Sequence, residues 1–234
     1  MSMARPGNGV AVVTGAGRGI GRAVARRLAA THVVLAVART ASELAETADG
    51  RPGIHTMSLD IGSQDAALRV AAAAVEHGRL SVWINNAAMV EPRAFHQITD
   101  AEWRRVLAVN LDAVFAGCRE ATLRMRETGG GVIVNMASLS GVAGVEKFPG
   151  LTSYNVSKAG VIALTEAVAL EGREHGVRCV CLSPGAVDTQ MLQRAAPHLR
   201  AGMTPDDVAA IVEFLVSDAA APLSGTNIPI NSNR

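Results

Sequence analysis

Short runs rich in valine and isoleucine alternate with longer alanine-rich stretches along the 234 residues, and this alternation restricts the fold more than any other feature. Most of the short runs are continuously apolar, which is typical of strands covered on both faces. Seven strands are predicted, at Val10–Thr14, Val33–Ala38, Ile54–Asp60, Ser81–Asn85, Val132–Ser138, Val177–Leu182 and Thr226–Ile230. Six helices are predicted between them, at Ile20–Ala30, Ser42–Ala48, Asp65–His77, Asp100–Arg126, Tyr154–His175 and Pro205–Ser217.

Strands that alternate with helices throughout predict an α/β fold with a doubly wound parallel sheet. No linker, repeat or low-complexity tract divides the chain, so we expect one domain over residues 1–234 that carries all sites. Thr99 with Glu102 has the spacing of a capping box, and Thr204 before Pro205 marks another helix start. Ligands of such sheets bind beyond the carboxyl ends of the strands, so the residues that follow each strand are the candidates for function.

Composition excludes several classes of function. Lys and Arg number 22 against 21 Asp and Glu, and the net charge of +1 offers no basic surface for nucleic acid. No run reaches the ~18 apolar residues of a membrane span, and Met1–Asn8 lacks the apolar stretch of a signal peptide. Cys118, Cys179 and Cys181 have no metal-ligand spacing, so we expect buried reduced thiols, no metal and a cytoplasmic protein.

A glycine cluster follows the first predicted strand and opens the first predicted helix. Gly15, Gly19 and Gly21 lie in the segment Thr14-Gly-Ala-Gly-Arg-Gly-Ile-Gly21. A turn without side chains lets main-chain N–H groups approach a dinucleotide pyrophosphate, which also gains from the positive end of the helix dipole. A plain tight turn is the alternative, but the position between strand and helix favours a dinucleotide site.

The residues after the second predicted strand bear on which dinucleotide binds. A site for NAD usually carries an acid about 20 residues beyond the glycines, bonded to the ribose 2′-hydroxyl. Here Arg39 and Thr40 follow the strand, and the first acid is Glu43. Arg39, with Arg18 from the glycine turn, would instead pair with a 2′-phosphate. We therefore expect NADP in preference to NAD; the alternative for Arg39 is a solvated loop cation.

Tyr154 and Lys158 are four residues apart and share one face of a predicted helix. A free phenol has a pKa near 10, and an ammonium close by would lower it by about two units. That shift would bring Tyr154 toward the range of general acid–base catalysis. Other polar residues follow neighbouring strands or lie in the fifth predicted helix: Asn85, Asn86, Asn110 and Ser138. Each has an ordinary structural explanation alone, but together with the glycine turn they form a pattern.

In these residues the sequence resembles the short-chain dehydrogenase/reductase family, in its compact single-domain branch. The resemblance covers nearly the whole chain and is carried by residues Thr14–Gly21, Asp60, Asn85–Ala88, Asn110, Ser138, Tyr154–Lys158 and Pro184–Gly185. It implies a Rossmann-type fold with seven parallel strands, an NAD(P) cofactor and reversible carbonyl–alcohol oxidoreduction.

The resemblance also implies roles for single residues. Tyr154 would exchange a proton with the substrate oxygen and Ser138 would hydrogen-bond the same oxygen, with Ser140 as a second candidate. Lys158 would hold the nicotinamide ribose, and Asn110 would hold a water that links Lys158 to solvent. The cofactor-binding residues would be Gly15, Arg18, Gly19, Ile20, Gly21, Arg39, Asp60, Ile61, Asn86, Ala87, Tyr154, Lys158, Pro184, Gly185, Val187 and Thr189.

The substrate stays open at this point. Loops at Met89–His96, Ser140–Thr152 and Gln190–Met203 would decide specificity, and a 3-oxoacyl compound is the first guess. The family's substrate lid corresponds to Gln190–Gly202, which is short here and predicts a more open site. The alternatives in function are a non-catalytic dinucleotide-binding sensor or scaffold, and an epimerase or dehydratase on the same fold.

The expected partners are a small carbonyl or alcohol substrate and further copies of the chain, in a homodimer or homotetramer. The helix Tyr154–His175 has more small and apolar residues than one buried face uses, among them Ala159 and Ala163. The alternative is that all of them pack against the sheet. The tail Ile228–Arg234 resembles the family's last strand but ends in polar residues, which does not favour a part in an interface.

Overall fold

Seven strands form one parallel sheet in the computed structural model, which describes residues 9–231. In chain order, β1 to β7 are Val10–Thr14, Val33–Ala38, Ile54–Ser58, Leu80–Asn85, Gly131–Met136, Val177–Pro184 and Asn227–Ile230. Their order across the sheet is β3-β2-β1-β4-β5-β6-β7, so the direction of winding reverses between β1 and β4. This is the doubly wound Rossmann-type arrangement that the sequence predicts. Met1–Asn8 and Ser232–Arg234, on which two of the expectations bear, lie outside the described residues.

The described residues contain eight α-helices, most of which pack against the two faces of the sheet. In chain order, α1 to α8 are Gly19–Leu28, Ala41–Ala48, Ala66–Glu76, Asp100–Leu107, Ala113–Met125, Thr152–Gly172, Gln190–Ala195 and Pro205–Val216. The helix starts predicted at Thr99 and Thr204 are confirmed, because both threonines form complete capping boxes. No helix within residues 9–231 combines the length and the apolar character that crossing a membrane requires.

Two apolar layers, one on each face of the sheet, hold the helices in place. Ala11 and Val13 of β1 face the layer that also contains Val24 and Leu28 of α1 and Val212 of α8. Val10 and Val12 alternate to the other face, where they meet residues of α3, α5 and α6. Every residue of β1 is buried, which explains why the strand reads as a continuous apolar run.

The prediction of one helix over Asp100–Arg126 is wrong in its middle. A π-helical turn at Ala108–Asp112 separates α4 from α5 and contains the buried Asn110. A π-turn widens the helix locally and is common at functional sites. It adds no glycine or proline to the sequence, so the apolar periodicity alone did not reveal it.

Several other boundaries differ from the prediction by a few residues, and two of them concern site residues. β3 ends at Ser58, before the expected Asp60, because residues 59–62 already turn: the Gly62 N–H donates to the Asp60 carboxylate at 3.0 Å. β5 ends at Met136, so Ser138 lies two residues beyond the strand and begins a short 3₁₀ turn. The three cysteines are buried free thiols, as predicted.

Candidate active site

The glycine turn between β1 and α1 is shaped by close main-chain contacts. Gly15 and Gly19 have φ values of +65° and +53°, which side chains disfavour. A Cβ added to Gly21 would lie 2.2 Å from the Gly15 carbonyl oxygen, and one added to Gly15 would lie 2.8 Å from Ala87 Cα. The turn therefore requires glycine at these positions for steric reasons.

Thr14 and Asn86 join the turn to the end of β4. The Thr14 hydroxyl accepts from the main-chain N–H groups of Asn86 and Ala87 at 3.0 and 3.1 Å. The Asn86 side-chain amide in turn donates to the carbonyls of Thr14 and Gly15 at 3.0 and 3.2 Å. These bonds fix the carboxyl ends of β1 and β4 on either side of the crevice where the winding reverses.

The residues of the turn fit a dinucleotide pyrophosphate. No side chain caps the N-terminus of α1 and no acid lies in its first turn, so no capping side chain competes with a ligand for its first main-chain N–H groups. The absence of a Cβ at Gly15 and Gly21 keeps the approach to those N–H groups open. Helix N-termini of this kind bind phosphate through N–H donors and the helix dipole. Ile20 lies in the first turn of α1, as expected.

The two arginines proposed for a 2′-phosphate differ in their partners. Arg18 donates from Nη1 to Glu43 Oε1 at 2.9 Å in an ion pair at the glycine turn. Arg39 is exposed just beyond β2, and its guanidinium has no hydrogen-bond or ion-pair partner among residues 9–231. The unpaired Arg39 and the paired Arg18 both lie at the edge of the sheet that carries the glycine turn.

The remaining cofactor candidates follow other strands at the same edge. Asp60 is exposed and its carboxylate accepts from Gly62, next to the half-buried Ile61. Pro184 ends β6, and the Gly185 N–H donates to Ile230 at 3.0 Å. The next two candidates approach the glycine turn: Val187 is buried and pairs with Met203, while Thr189 Cγ2 is 3.3 Å from where a Gly19 Cβ would lie.

Ser138, Tyr154 and Lys158 converge beyond the ends of β5 and β6. The Ser138 side chain lies close enough to the Tyr154 hydroxyl to influence its pKa, and Ser138 Oγ accepts from the Ser140 N–H at 3.1 Å. Lys158 is almost fully buried, with its Nζ 5.6 Å from the centre of the Tyr154 ring. Nζ donates to the Met136 carbonyl at 2.7 Å. The structure thus brings three of the four predicted catalytic side chains into one cluster.

Close packing of the turn after Ser138 holds that cluster together. A Cβ on Gly141 would lie 2.5 Å from the Lys158 carbonyl carbon and 2.6 Å from the Ala159 nitrogen. The main chain of the turn that follows Ser138 therefore lies directly against α6, the helix that carries Tyr154. Gly141 is not among the predicted site residues, although a glycine three residues after the serine is visible in the sequence.

The pKa of Tyr154 shifts in the opposite direction to the one expected from the sequence. Burial raises the pKa of the Tyr154 hydroxyl above its ordinary value, and the hydrogen bond with Ser138 only partly offsets this. Burial also lowers the pKa of Lys158 to about 8. The prediction of a lowered pKa for Tyr154 is wrong for this arrangement, because desolvation outweighs any stabilisation of the phenolate by Lys158, whose ammonium donates to the Met136 carbonyl.

Asn110 lies in the π-turn with its amide fully engaged by protein groups. Its Oδ1 accepts from the Met89 N–H at 2.8 Å, and its Nδ2 donates to the Met89 carbonyl at 2.9 Å and to Ser157 Oγ at 3.1 Å. Ser157 donates onward to the Tyr154 carbonyl at 2.7 Å. The Asn110 side chain therefore braces the first turn of α6. The water expected at Asn110 stays a prediction.

A buried polar chain lies beneath the catalytic cluster. Trp83 Nε1 donates to Asn85 Oδ1 at 2.7 Å, and Asn85 Nδ2 donates to Asn135 Oδ1 at 2.8 Å. Asn135 Nδ2 donates to the Thr165 hydroxyl at 3.0 Å. Thr165 lies seven residues after Lys158 on α6, and Asn135 directly precedes the Met136 that accepts from Lys158. This chain thus links β4 and β5 to the helix face that carries Lys158.

The segment after β6 approaches the catalytic side through one ring contact. Phe148 meets His198 edge-on, with ring centres 5.9 Å apart at 70°. α7 occupies residues 190–195, where the sequence analysis named no helix but expected a short lid. Most of residues 190–201 are half-buried or exposed. The open site stays a prediction.

The fold, the glycine turn and the Ser–Tyr–Lys cluster define a dinucleotide-dependent oxidoreductase of the Rossmann type, and the comparisons place it more narrowly. The model of the family described as short chain dehydrogenase matches residues 9–200. The chain is similar to an acetoacetyl-CoA reductase of Shinella zoogloeoides, at 32% identity over 96% of this chain and 98% of the relative. It is also similar to a cis-4-hydroxycyclohexanecarboxylate dehydrogenase of Sinomonas cyclohexanicum, at 34% identity over 95% of this chain and 94% of that protein.

A solved structure agrees with these relatives. A short-chain alcohol dehydrogenase from Sinorhizobium meliloti 1021 superposes with a TM-score of 0.85 at 33% identity, covering 94% of each chain. The present chain belongs to the short-chain dehydrogenase family, and it is therefore an NAD(P)-dependent oxidoreductase acting between CH–OH and C=O groups.

Proposed function

We propose that the protein is an NADP-linked ketone reductase in which Tyr154 is the general acid. The observation that carries the proposal is the convergence of Ser138, Tyr154 and Lys158 at the carboxyl end of β5. A nicotinamide dinucleotide supplies the hydride when bound. With its raised pKa, the Tyr154 hydroxyl is protonated at neutral pH, which suits proton donation to a carbonyl oxygen.

Ser138 and Lys158 support Tyr154 in this reaction. The Ser138 hydroxyl, which lies beside Tyr154, orients the carbonyl oxygen by a second hydrogen bond. As Tyr154 gives up its proton, the buried Lys158 ammonium stabilises the resulting phenolate, because charges interact strongly in a desolvated site. In the reverse direction, the same phenolate accepts the proton of the alcohol. Lys158 also holds the ribose next to the nicotinamide.

The preference for NADP rests on Arg39 and Arg18. The unpaired Arg39 guanidinium at the end of β2 offers a fork for a phosphate, and no acid lies nearer along the chain than Glu43. The backbone N–H groups of the glycine turn hold the pyrophosphate, and Asp60 and Ile61 flank the adenine. Changing Arg39 to alanine is expected to weaken NADPH binding about tenfold or more and NADH binding less than twofold.

A 3-oxoacyl thioester is the proposed substrate. A relative similar over almost the whole chain is named acetoacetyl-CoA reductase. The segment Gln190–Met203 carries Arg194 and Arg200 and no acid, which favours a substrate with an anionic carrier. Alicyclic alcohols are the second candidate, because another relative is named cis-4-hydroxycyclohexanecarboxylate dehydrogenase.

We also propose that the chain assembles with copies of itself through α5 and α6. α6 presents exposed Val156, Ala159, Ala163 and Leu170 along one stripe, so its small residues do not all pack on the sheet. Phe115 is exposed on α5. Light scattering is expected to show a dimer or tetramer. Replacing Leu170 by glutamate is expected to shift the assembly toward the monomer. An unmodified protein that is monomeric at micromolar concentration would contradict the proposal.

The test of the catalytic proposal is Tyr154→Phe. The variant is expected to lose turnover by about 100- to 10,000-fold with acetoacetyl-CoA and NADPH, because it removes the acid and leaves the ring. Its NADPH dissociation constant, measured by nucleotide fluorescence, is expected to stay within about twofold. Full activity in Tyr154→Phe would remove the residue from its role. Tight NADPH binding without turnover of any ketone or alcohol by the unmodified protein would favour a dinucleotide sensor instead.

A further inference from the structure

Glu43 is an acid at the glycine turn that the proposed reaction does not use. It lies in the first turn of α2, and its Oε1 accepts from Arg18 Nη1 at 2.9 Å. Its other carboxylate oxygen would be 2.9 Å from a Cβ added to Gly17. The carboxylate is therefore in contact with the main chain of the turn as well as with the arginine.

The docking of α2 fixes this carboxylate in position. Thr47, one turn further along α2, is fully buried and donates to the Ala16 carbonyl at 2.8 Å and to the Glu43 carbonyl at 3.0 Å. The Arg22 guanidinium also bridges the carbonyls of Gly17 and Glu43. Because these bonds tie the main chain of α2 to the glycine turn, Glu43 stays within reach of Arg18 when a ligand approaches.

A 2′-phosphate bound by Arg18 would thus meet a competing anion. The Glu43 side chain is about a quarter exposed, which leaves its charge partly shielded from solvent. The ribose of NAD has a neutral 2′-hydroxyl at that place and leaves the Arg18–Glu43 pair intact. NADP must share Arg18 with the carboxylate, and two anions on one guanidinium repel each other.

We propose that Glu43 is a specificity-determining residue that weakens the binding of NADP relative to NAD by competing for Arg18. This inference rests on the proposed site for the 2′-phosphate. Arg39 supplies the attraction for that phosphate, and Glu43 limits it. The protein therefore discriminates less between the two dinucleotides than its two arginines would otherwise allow.

The test compares Glu43→Gln with Glu46→Gln as its matched control. Glu46 lies on the same helix and forms an ion pair of the same length with Arg22, at 2.9 Å, but its side chain is far more exposed. Dissociation constants of NADPH and NADH are measured by fluorescence for both variants and the unmodified protein. Glu43→Gln is expected to tighten NADPH binding about five- to tenfold and to change NADH binding less than twofold. Glu46→Gln is expected to leave the ratio of the two constants within about twofold.

A double variant checks the route through Arg18. In an Arg18→Gln background, Glu43→Gln is expected to lose most of its effect on NADPH, since the contested cation is gone. Weaker NADPH binding in Glu43→Gln, weaker NADH binding, or an equal gain in Glu46→Gln would each overturn the inference. If the unmodified protein binds NADPH and Glu43→Gln leaves the ratio unchanged, the inference fails alone. If the unmodified protein binds neither dinucleotide, the proposed function fails and the inference falls with it.

Discussion

The phosphate-binding turn and the catalytic cluster lie at the same edge of the sheet but are built by opposite means. The turn at Gly15–Gly21 is made of main chain, and its shape depends on the absence of side-chain atoms. The cluster around Tyr154 and Lys158 is made of side chains, and buried hydrogen bonds from Asn110 and Asn135 hold its helix.

This difference separates the consequences of mutation in the two regions. An added atom damages the turn through steric overlap, and the loss appears first in the binding of a dinucleotide. A removed polar atom damages the cluster by leaving a buried partner unsatisfied, and the loss appears first in turnover. The turn and the cluster can thus be tested independently by measuring dinucleotide binding and turnover for each variant.

The largest expected effect is that of Gly21→Ala. The new Cβ would lie 2.2 Å from the Gly15 carbonyl oxygen, so the turn must shift. NADPH binding is expected to weaken at least about 100-fold, as measured by nucleotide fluorescence, while circular dichroism shows a folded protein. Gly53→Ala is the control, because its Cβ would have no neighbour nearer than 3.8 Å. Unchanged NADPH binding in Gly21→Ala would break the distinction between the halves.

The pH dependence of ketone reduction is expected to distinguish the catalytic cluster from the phosphate-binding turn without any substitution. Lys158 has its pKa lowered to about 8 by burial, so its ammonium is present below that pH and is lost above it. The kcat/KM for ketone reduction is expected to be flat below about pH 8 and to fall toward tenfold per pH unit above it. Binding of ADP, which lacks the nicotinamide ribose that Lys158 would hold, is expected to stay constant from about pH 7 to 9. A parallel loss of ADP binding would contradict the assignment to Lys158.

A smaller effect is expected from Thr165→Val, which removes the hydroxyl that accepts from Asn135. The Asn135 amide then keeps only the weaker thiol acceptors of Cys118 and Cys179, which costs about 1 kcal/mol, and part of this is expected to appear as a tilt of α6. We expect kcat to fall about fivefold, with the NADPH dissociation constant unchanged within about twofold. Thr165→Ser keeps the hydroxyl and is expected to restore kcat. A loss of thermal stability in Thr165→Val with normal kcat would make the chain of hydrogen bonds merely structural.

The sequence was sufficient for the parts of the molecule that local patterns encode. Continuous apolar runs located the strands, and the Thr99 and Thr204 patterns located two helix starts. Tyr154 and Lys158 could be paired because the spacing of four residues fixes a shared helix face. The positions after the strands led to Ser138 and Asn86 for a similar reason, since a parallel sheet collects its carboxyl ends at one edge.

The rest depends on contacts between distant parts of the chain. In the polar chain from Trp83 to Thr165, the hydrogen bond between Asn85 and Asn135 alone joins residues 50 positions apart in the sequence. An asparagine inside an apolar strand was the available signal, but it does not name its partner. The direction of the Tyr154 pKa shift also depends on burial, which helical spacing does not reveal. The Glu43–Arg18 pair likewise forms only when α2 docks on the glycine turn.

The smallest expected effect concerns the exposed border of the catalytic half. Phe148 and His198 form the ring contact between the loop before α6 and the segment after α7. Such an edge-on pair contributes about 0.5–1.5 kcal/mol, so Phe148→Ala is expected to raise KM for the ketone about two- to fivefold. We expect kcat and NADPH binding to stay within about twofold, because Phe148 belongs neither to the Ser138–Tyr154–Lys158 cluster nor to the glycine turn. His77→Ala is the control, since it removes a stacked ring contact with His55 at 3.9 Å, away from the catalytic residues. Equal changes in KM for both variants would mean that Phe148 acts through stability alone. A fall in kcat for Phe148→Ala only would mean that this ring contact helps to position the catalytic side chains.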